Sequence, residues 1–492
     1  MVSRIHKIRI FTALFSLILS VIAYYFDDLI NNDGILYMQA AQAYLKGGFS
    51  ASAEIYPWPF FSVIVAFIHQ LSGFTLEVSA YILNTFLFVL LTDVLVQLSK
   101  KLLVDDRQLF VAVLLILCFF TLNEYRHYII RDIGYWAFCC WALFRFIEFI
   151  EKSSLKNFIY WQFTILISIL FRLDGLVIFL GLPVYLLVIS SSKYMPERGF
   201  RPNYKFIFSL TLISTLLIGT ALVTTLVDTV DIYNSYTNTG EGKRFLALFE
   251  NKVSIIETQI LNKYSADYSV LVLVSGLIMM MVYKLIKGMS ISYLGVYLVS
   301  WMQQQKIAPN KYRSLLLYFI GLNILLLLTV LFHRYFVSQR HAIIVSIGIL
   351  LLMLPRLTTF IQQIWESRNK KWQLVIAALL LINLIDGVTQ TNSKSYIKDT
   401  AVWASENLTG SMMALTDDRA IEYYYNNQTS SVKLIRDKNI DLYQRYAYLI
   451  LIEKYNDEER RSSLKTMNLD PIFNLGNSRG DKATVYKVLP ER

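Results

Sequence analysis

The sequence predicts an α-helical polytopic membrane protein: a bundle of about eleven spanning helices, juxtamembrane helices in the first outer loop, and a small C-terminal α/β domain. Three observations carry this. Hydrophobic residues make up 55% of the 492 and charged residues only 17%, where a soluble domain keeps about a quarter charged. Uncharged apolar runs long enough to cross a bilayer recur from residue 8 to residue 390. Beyond residue 391 the composition changes to a mix of 15 basic and 14 acidic groups.

A spanning helix needs about 20 mostly apolar residues. Eleven runs come close to that length, at about 8–26, 77–99, 108–122, 133–150, 157–171, 174–190, 206–228, 268–286, 313–332, 341–354 and 372–390. Arg4, Lys7 and Arg9 open the first, but no small-residue cleavage site follows Tyr24, Tyr25, Phe26 and Asp27, so it is expected to stay as a membrane helix. The apolar stretch 58–73 is left out of the count. It is short, follows Pro57 and Pro59 and carries His69 and Gln70, which suits a helix lying along the interface. Residues 293–301 read either as another such helix or as a short span.

The net charge of +11 is explained by topology. With the N-terminus inside, the inner segments hold 21 Lys and Arg, against 10 in the outer loops before residue 391. Asp105, Asp106, Glu151, Glu197 and Glu366 are the only acids on the inner side. This is the positive-inside bias, and it removes the need for a nucleic-acid partner. An odd number of spans puts residues 391–492 outside, as a domain distinct from the membrane part, 1–390. Strands are expected at about 412–416, 432–435, 448–452 and 485–488, with helices at 417–425 and 457–467. No glycine-rich phosphate loop occurs there, so an acceptor-docking or structural role is expected. Cys118, Cys139 and Cys140 all lie in apolar segments, which excludes a disulfide scaffold.

The outer loops hold the chemistry. The first, 27–73, is long and carries Asp27, Asp28, Asn31, Asn32, Asp33, Tyr37, Glu54 and Tyr56. Asp33 opens a helical stretch, 33–46, that Gly47 and Gly48 should stop. A carboxylate there is stabilised by the helix dipole whether or not it has a further task. A second loop gathers Glu124, Arg126, His127, Arg131 and Asp132, of which Arg131 and Asp132 could form no more than a local ion pair. Arg172 and Asp174 read first as a turn and an interfacial anchor. A late loop places His333, Arg334, Tyr335, Arg340 and His341 on the outer side, where the charge bias calls for no cations. Arginine forks suit phosphate oxygens, although snorkelling to lipid headgroups has the same appearance.

The run Asn32-Asp33-Gly34-Ile35-Leu36-Tyr37, continuing to Gly47-Gly48 and followed by Tyr56-Pro57-Trp58-Pro59-Phe60, resembles the first outer loop of the GT-C glycosyltransferases. That superfamily includes the lipid A aminoarabinose transferases and the protein O-mannosyltransferases. Arg131-Asp132 resembles its second acidic position, and Arg334-Tyr335 with Arg340 its late outer-loop motif. The order of elements matches over nearly the whole chain. Two positions depart from the pattern: Gly34 stands where Glu is frequent, and Ser79-Ala80-Tyr81 where an Arg is frequent.

The resemblance implies a GT-C-like bundle that transfers a sugar, with inversion, from a polyprenyl-phosphate carrier to a lipid, glycan or protein acceptor. It implies Asp33 as general base, with Asp132 orienting the acceptor or sharing that role. Tyr37, Glu54, Tyr56, Arg126, His127, Arg131, Arg172, Arg334, Tyr335, Arg340 and His341 would bind substrate. It also implies a bacterial inner membrane with the site and the C-terminal domain in the periplasm, and a monomer. Some members use a divalent cation; Asp33, Asp132 and Glu54 carry oxygen ligands of the kind Mg²⁺, Mn²⁺ or Ca²⁺ takes, but no spacing among them sets a geometry. Competing readings are an O-antigen polymerase or ligase, and a lipid-linked sugar transporter or flippase. A transporter would place its ionisable groups near the midplane, and few lie there, Asp93 and Arg145 among them.

Overall fold

The computed structural model describes residues 4–190, 211, 213–214, 241–303, 310–389, 393–409, 413–426, 431–437 and 440–490. The first helices are α1 (Arg4–Tyr25), α2 (Asn32–Ile55), α3 (Phe60–Ser72), α4 (Leu76–Leu102), α5 (Asp106–Leu117), α6 (Phe120–Asn123), α7 (Asp132–Glu151), α8 (Leu155–Phe171) and α9 (Gly175–Ser190). Then come α10 (Glu241–Ile255), α11 (Ser269–Gly288), α12 (Ile291–Met302), α13 (Arg313–Arg334), α14 (Gln339–Glu366) and α15 (Lys370–Val388). The C-terminal region adds α16 (Ser395–Asn407), α17 (Arg419–Asn426) and α18 (Glu458–Thr466).

Among the described residues seven helices, α1, α4, α7, α11, α13, α14 and α15, are long and apolar enough to cross a membrane. The segment of α5 and α6 is an eighth if its 48° bend lies within one span. The protein is therefore a multi-pass membrane protein. Against eleven predicted spans, α8 and α9 are helical but only 17 and 16 residues long, about 25 Å of helix. The predicted span at 206–228 lies outside the described residues apart from 211, 213 and 214. Helix α12 has 12 residues, about 18 Å, too short for a hydrocarbon core of about 30 Å.

The chain packs as two compact units. One comprises Met1–Ala13, Leu90–Leu122 and Asp132–Ile382. In it α7 and α8 form an antiparallel hairpin made close by Gly134, where a Cβ would stand 2.4 Å from the Phe171 ring. Small residues permit such approach in membrane bundles. Arg9 and Asp93 form a two-pronged ion pair at 2.6 and 2.7 Å, and Gln97 donates to the same carboxylate at 2.8 Å. Asp93 is thus part of a structural clamp.

The other unit comprises Leu14–Val89, Asn123–Arg131 and Asn383–Arg492. The predicted helix at 33–46 is present and Gly48 breaks it, with φ 72° and ψ −160°. A left-handed position of this kind favours glycine. Helix resumes beyond it, to Ile55, and doubles back so that Ser52 Oγ donates to the Ala40 carbonyl at 2.8 Å. Helix α3 follows, as expected of 58–73, and ends at Gly73 with φ 72°. Its outward face carries Phe67 and Leu71, both more than half exposed.

The C-terminal part of this unit is a five-stranded mixed sheet in the order β2-β1-β3-β5-β4, with β1 (Ala414–Thr416), β2 (Leu434–Arg436), β3 (Tyr448–Glu453), β4 (Leu469–Gly476) and β5 (Lys482–Val488). Strand β1 pairs in parallel with β2 and β3, and β5 lies antiparallel between β3 and β4. One face buries Leu415, Leu449 and Leu451 with Leu464 of α18, and on the other side Trp403 of α16 stacks on Phe473 at 4.0 Å. Strand β4 and helix α16 are absent from the sequence-based expectation. Pro471 argues against a strand, yet β4 is at the sheet edge, where a missing N–H costs no ladder bond, and it bulges between Pro471 and Phe473.

Candidate active site

The acidic loop sits in the second unit. Asn31 precedes α2 in an extended conformation and uses both ends of its amide on one residue: Oδ1 accepts from Ile129 N at 2.8 Å and Nδ2 donates to Ile129 O at 3.2 Å. Asp33, in the first turn of α2, is partly exposed beside this clamp. The packing at Gly34 is tight. A Cβ there would lie 2.9 Å from Ile30 Cγ1, 3.0 Å from Asn31 Oδ1 and 3.0 Å from Ile129 Cβ, so a larger residue would force these neighbours to shift.

Aromatic side chains brace the rest of the loop. Tyr37 is buried, edge-on to Tyr56 at 5.3 Å and tilted on Phe61 at 5.1 Å, so it supports the loop from within. Tyr56 in turn carries the Arg131 guanidinium over its ring at 5.1 Å. This holds a cation by its face and leaves its N–H groups to other partners. Glu54 is exposed on the last turn of α2.

One expected ligand residue has other work. Arg126 is 3% exposed. Its guanidinium donates to Asn123 Oδ1 at 2.9 Å, Ser16 O at 2.9 Å, Ser20 Oγ at 2.5 Å and Ser16 Oγ at 3.0 Å, and covers the Phe88 ring at 4.5 Å. A guanidinium with four such bonds has little left for a phosphate. His127 is also buried.

Tyr81 donates to the Asp27 carboxylate. Burial, with Glu124 and Asp27 adding to it, pushes the Tyr128 phenol above its ordinary value and keeps it neutral. Tyr424 of α17 accepts from Ile30 N at 3.1 Å, and Asp28 accepts from Lys394 N at 3.2 Å, so the extramembrane domain is tied to the residues before Asp33. Asn31, Tyr81 and Tyr424 carry no signal in the sequence that marks these pairings.

The first unit holds the basic cluster. Asp132, at the start of α7, is 2% exposed, and Arg172 donates from Nη1 to its Oδ1. Arg172 also donates from Nε to Asp174 Oδ2 at 2.6 Å and covers Tyr135 at 5.6 Å. Burial alone would lower the Arg172 pKa, but Asp132 and Asp174 outweigh it and hold the guanidinium charged, above its ordinary value. Asp132 is therefore the buried half of an ion pair. The turn reading of Arg172 and Asp174 is correct as far as it goes; it misses the partner 40 residues away.

The charges acting on the His341 imidazole are those of Arg172, Asp132, Arg340 and Arg334. Five of the expected residues therefore gather in one place. His341 Nδ1 shares a hydrogen bond with Ser338 Oγ at 2.7 Å. Tyr335 ends α13 in the left-handed conformation, φ 53°, with Lys252 over its ring at 4.9 Å. Arg172, Arg334 and Arg340 against Asp132 and Asp174 leave this cluster net positive, as an anion site requires. A divalent cation does not fit Asp132, whose carboxylate Arg172 occupies. Among the described residues no three His, Cys, Asp or Glu groups gather as a metal site would need.

No family model matches the chain, and no curated protein matches it. Among solved structures, it is similar over 98% of its length to 99% of the ArnT chain from Cupriavidus metallidurans, crystallised in the apo state, at 11% identity and a TM-score of 0.46. It is also similar, over 92% of its length, to 69% of the oligosaccharyltransferase chain from Archaeoglobus fulgidus, tethered to an acceptor peptide containing the NVT sequon, at 10% identity and a TM-score of 0.45.

Proposed function

We propose that the protein is a membrane glycosyltransferase of the GT-C kind, moving a sugar from a polyprenyl-phosphate carrier to an acceptor hydroxyl at the outer face of a bacterial inner membrane. The observation that carries this is the construction around α2: Asp33 stands in its first turn beside the Asn31 clamp on Ile129, and Arg131, two residues further on, rests on Tyr56 just past the end of the same helix. An acid and a cation are thus positioned by one broken helix and one loop.

In this reading the acceptor oxygen attacks the anomeric carbon as its proton passes to the Asp33 carboxylate. The bond from that carbon to the phosphate oxygen breaks with inversion, and the carrier phosphate leaves as an anion. Arg131, held over the Tyr56 ring, stabilises it electrostatically, with a charge that needs no reorganisation as the bond breaks. Asp132 acts by holding Arg172, since a carboxylate already neutralised by a guanidinium is a poor proton acceptor. No step is routed through a metal. The acceptor is a lipid, a glycan or a protein, and the C-terminal domain is the element proposed to dock it.

The test is Asp33→Asn. Loss of a general base costs about 10²- to 10⁴-fold in turnover, and the variant should still fold and retain carrier. Turnover near that of the wild type would refute the assignment.

A further inference from the structure

The α7–α8 hairpin has a second charged region, at the end away from Asp132 and Arg172. On α7, Trp141, Arg145 and Glu148 recur at helical spacing and share a face. The chain then turns through Lys152 and enters α8 with Lys156, Ile159, Tyr160 and Phe163. The Arg145 guanidinium lies 5.7 Å from the Trp141 ring, 5.6 Å from Phe144 and 5.2 Å from Tyr160, and Lys156 Nζ lies 5.7 Å from the same Tyr160.

Arg145 gives one N–H to Glu148 at 2.6 Å, and among the described residues its Nε has no partner. Lys152 and Lys156 are exposed, and neither meets a carboxylate among the described residues. This end of the hairpin therefore carries Arg145, Lys152 and Lys156 beside Glu148 and Glu151, and Glu151 is already paired with Lys101 and Lys311. Along α8, Ile159 and Phe163 are 53% and 59% exposed, an apolar track leading away from them.

A face that is apolar along the bundle and cationic at its rim is matched by an amphiphile with acyl chains and an anionic head. Aromatic rings at this level suit the headgroup boundary. The charge bias of the chain puts this end on the inner side. We propose that the hairpin binds an anionic phospholipid of the inner leaflet, its phosphate held by Lys152, Lys156 and Arg145 and its acyl chains laid along Ile159 and Phe163. The proposal uses the orientation from charge bias and is independent of the transfer reaction.

The test is native mass spectrometry of the full chain released from nanodiscs that contain phosphatidylglycerol and phosphatidylcholine with identical acyl chains. Wild type should retain phosphatidylglycerol preferentially. Each cation near an anionic headgroup contributes about fivefold, so Lys152→Gln with Lys156→Gln should weaken retention about thirtyfold. Lys370→Gln with Lys371→Gln removes the same charge from another inner segment and should leave retention near wild type. Both lysine pairs are exposed, and a matched gel-filtration profile checks the fold. The proposal is overturned if wild type shows no preference for phosphatidylglycerol, if the 152/156 variant keeps it, or if the 370/371 variant loses as much.

Discussion

Replacing Asn31 with alanine removes both hydrogen bonds that hold the start of α2 to Ile129. Each contributes about 1 kcal/mol net. Ile129 is fully buried, so its N–H and carbonyl lose partners that water does not replace at once. An unsatisfied buried group costs about 1–3 kcal/mol, and relaxation recovers part of it, so the local loss should be about 3 kcal/mol, or about a hundredfold in the opening equilibrium. Hydrogen exchange read by mass spectrometry, on wild type and Asn31→Ala in the same nanodiscs, should show peptides over residues 27–38 losing about that factor of protection. Strand β3 should be unchanged. Asn31→Asp keeps the acceptor for Ile129 N but sets a carboxylate against the Ile129 carbonyl, and should recover less than half. Equal protection of residues 27–38 in wild type and Asn31→Ala would refute the claim that this amide positions the Asp33 helix.

Three further outcomes follow from the same geometry. Arg172→Met leaves Asp132 buried without its cation and should cost about 3–5 kcal/mol of stability; adding Asp132→Asn should restore part of it, and equal thermal stability of the single and double variants would show that the pair is not what holds the turn. Gly34→Ala forces a Cβ against Ile30, Asn31 and Ile129 and should cost about 1–3 kcal/mol, read as a lower yield of monodisperse protein. In the C-terminal sheet, burial would raise the Glu453 pKa, but hydrogen bonds from Tyr486 and Thr484 and the charge of Lys482 bring it below the ordinary value. A depressed carboxylate stabilises the fold above its unfolded pKa and loses that contribution as pH falls through the folded one. The gap in denaturant midpoint between wild type and Glu453→Gln should therefore be widest at neutral pH and close from about pH 4.5 downward.

The parts of this fold that were legible in the sequence rest on local patterns. Apolar run lengths mark the long helices, Gly48 marks the break in α2, and Pro57 with Pro59 marks the start of α3, because each acts within a few residues. The unread parts depend on distant pairing. Asp132 looks like a companion to Arg131, its neighbour in sequence, whereas its buried partner is Arg172. Ser16 and Ser20 look like filler in a spanning helix until Arg126 is placed against them. Strand β4 was hidden by Pro471, a residue that only an edge position tolerates. The candidate residues themselves were visible as ionisable groups where the membrane and the charge bias require none. Their division into groups already satisfied within the protein and groups with bonds to spare was not, since that depends on contacts between residues far apart in the chain.

Use of a carrier-linked sugar is read from the lipids that purify with Asp33→Asn, extracted and identified by mass spectrometry. A glycosyltransferase stalled before proton transfer should retain a polyprenyl phosphate carrying its sugar, at a higher occupancy than wild type. Wild-type and variant protein that both carry only phospholipid, with no polyprenyl phosphate in either, would contradict the account.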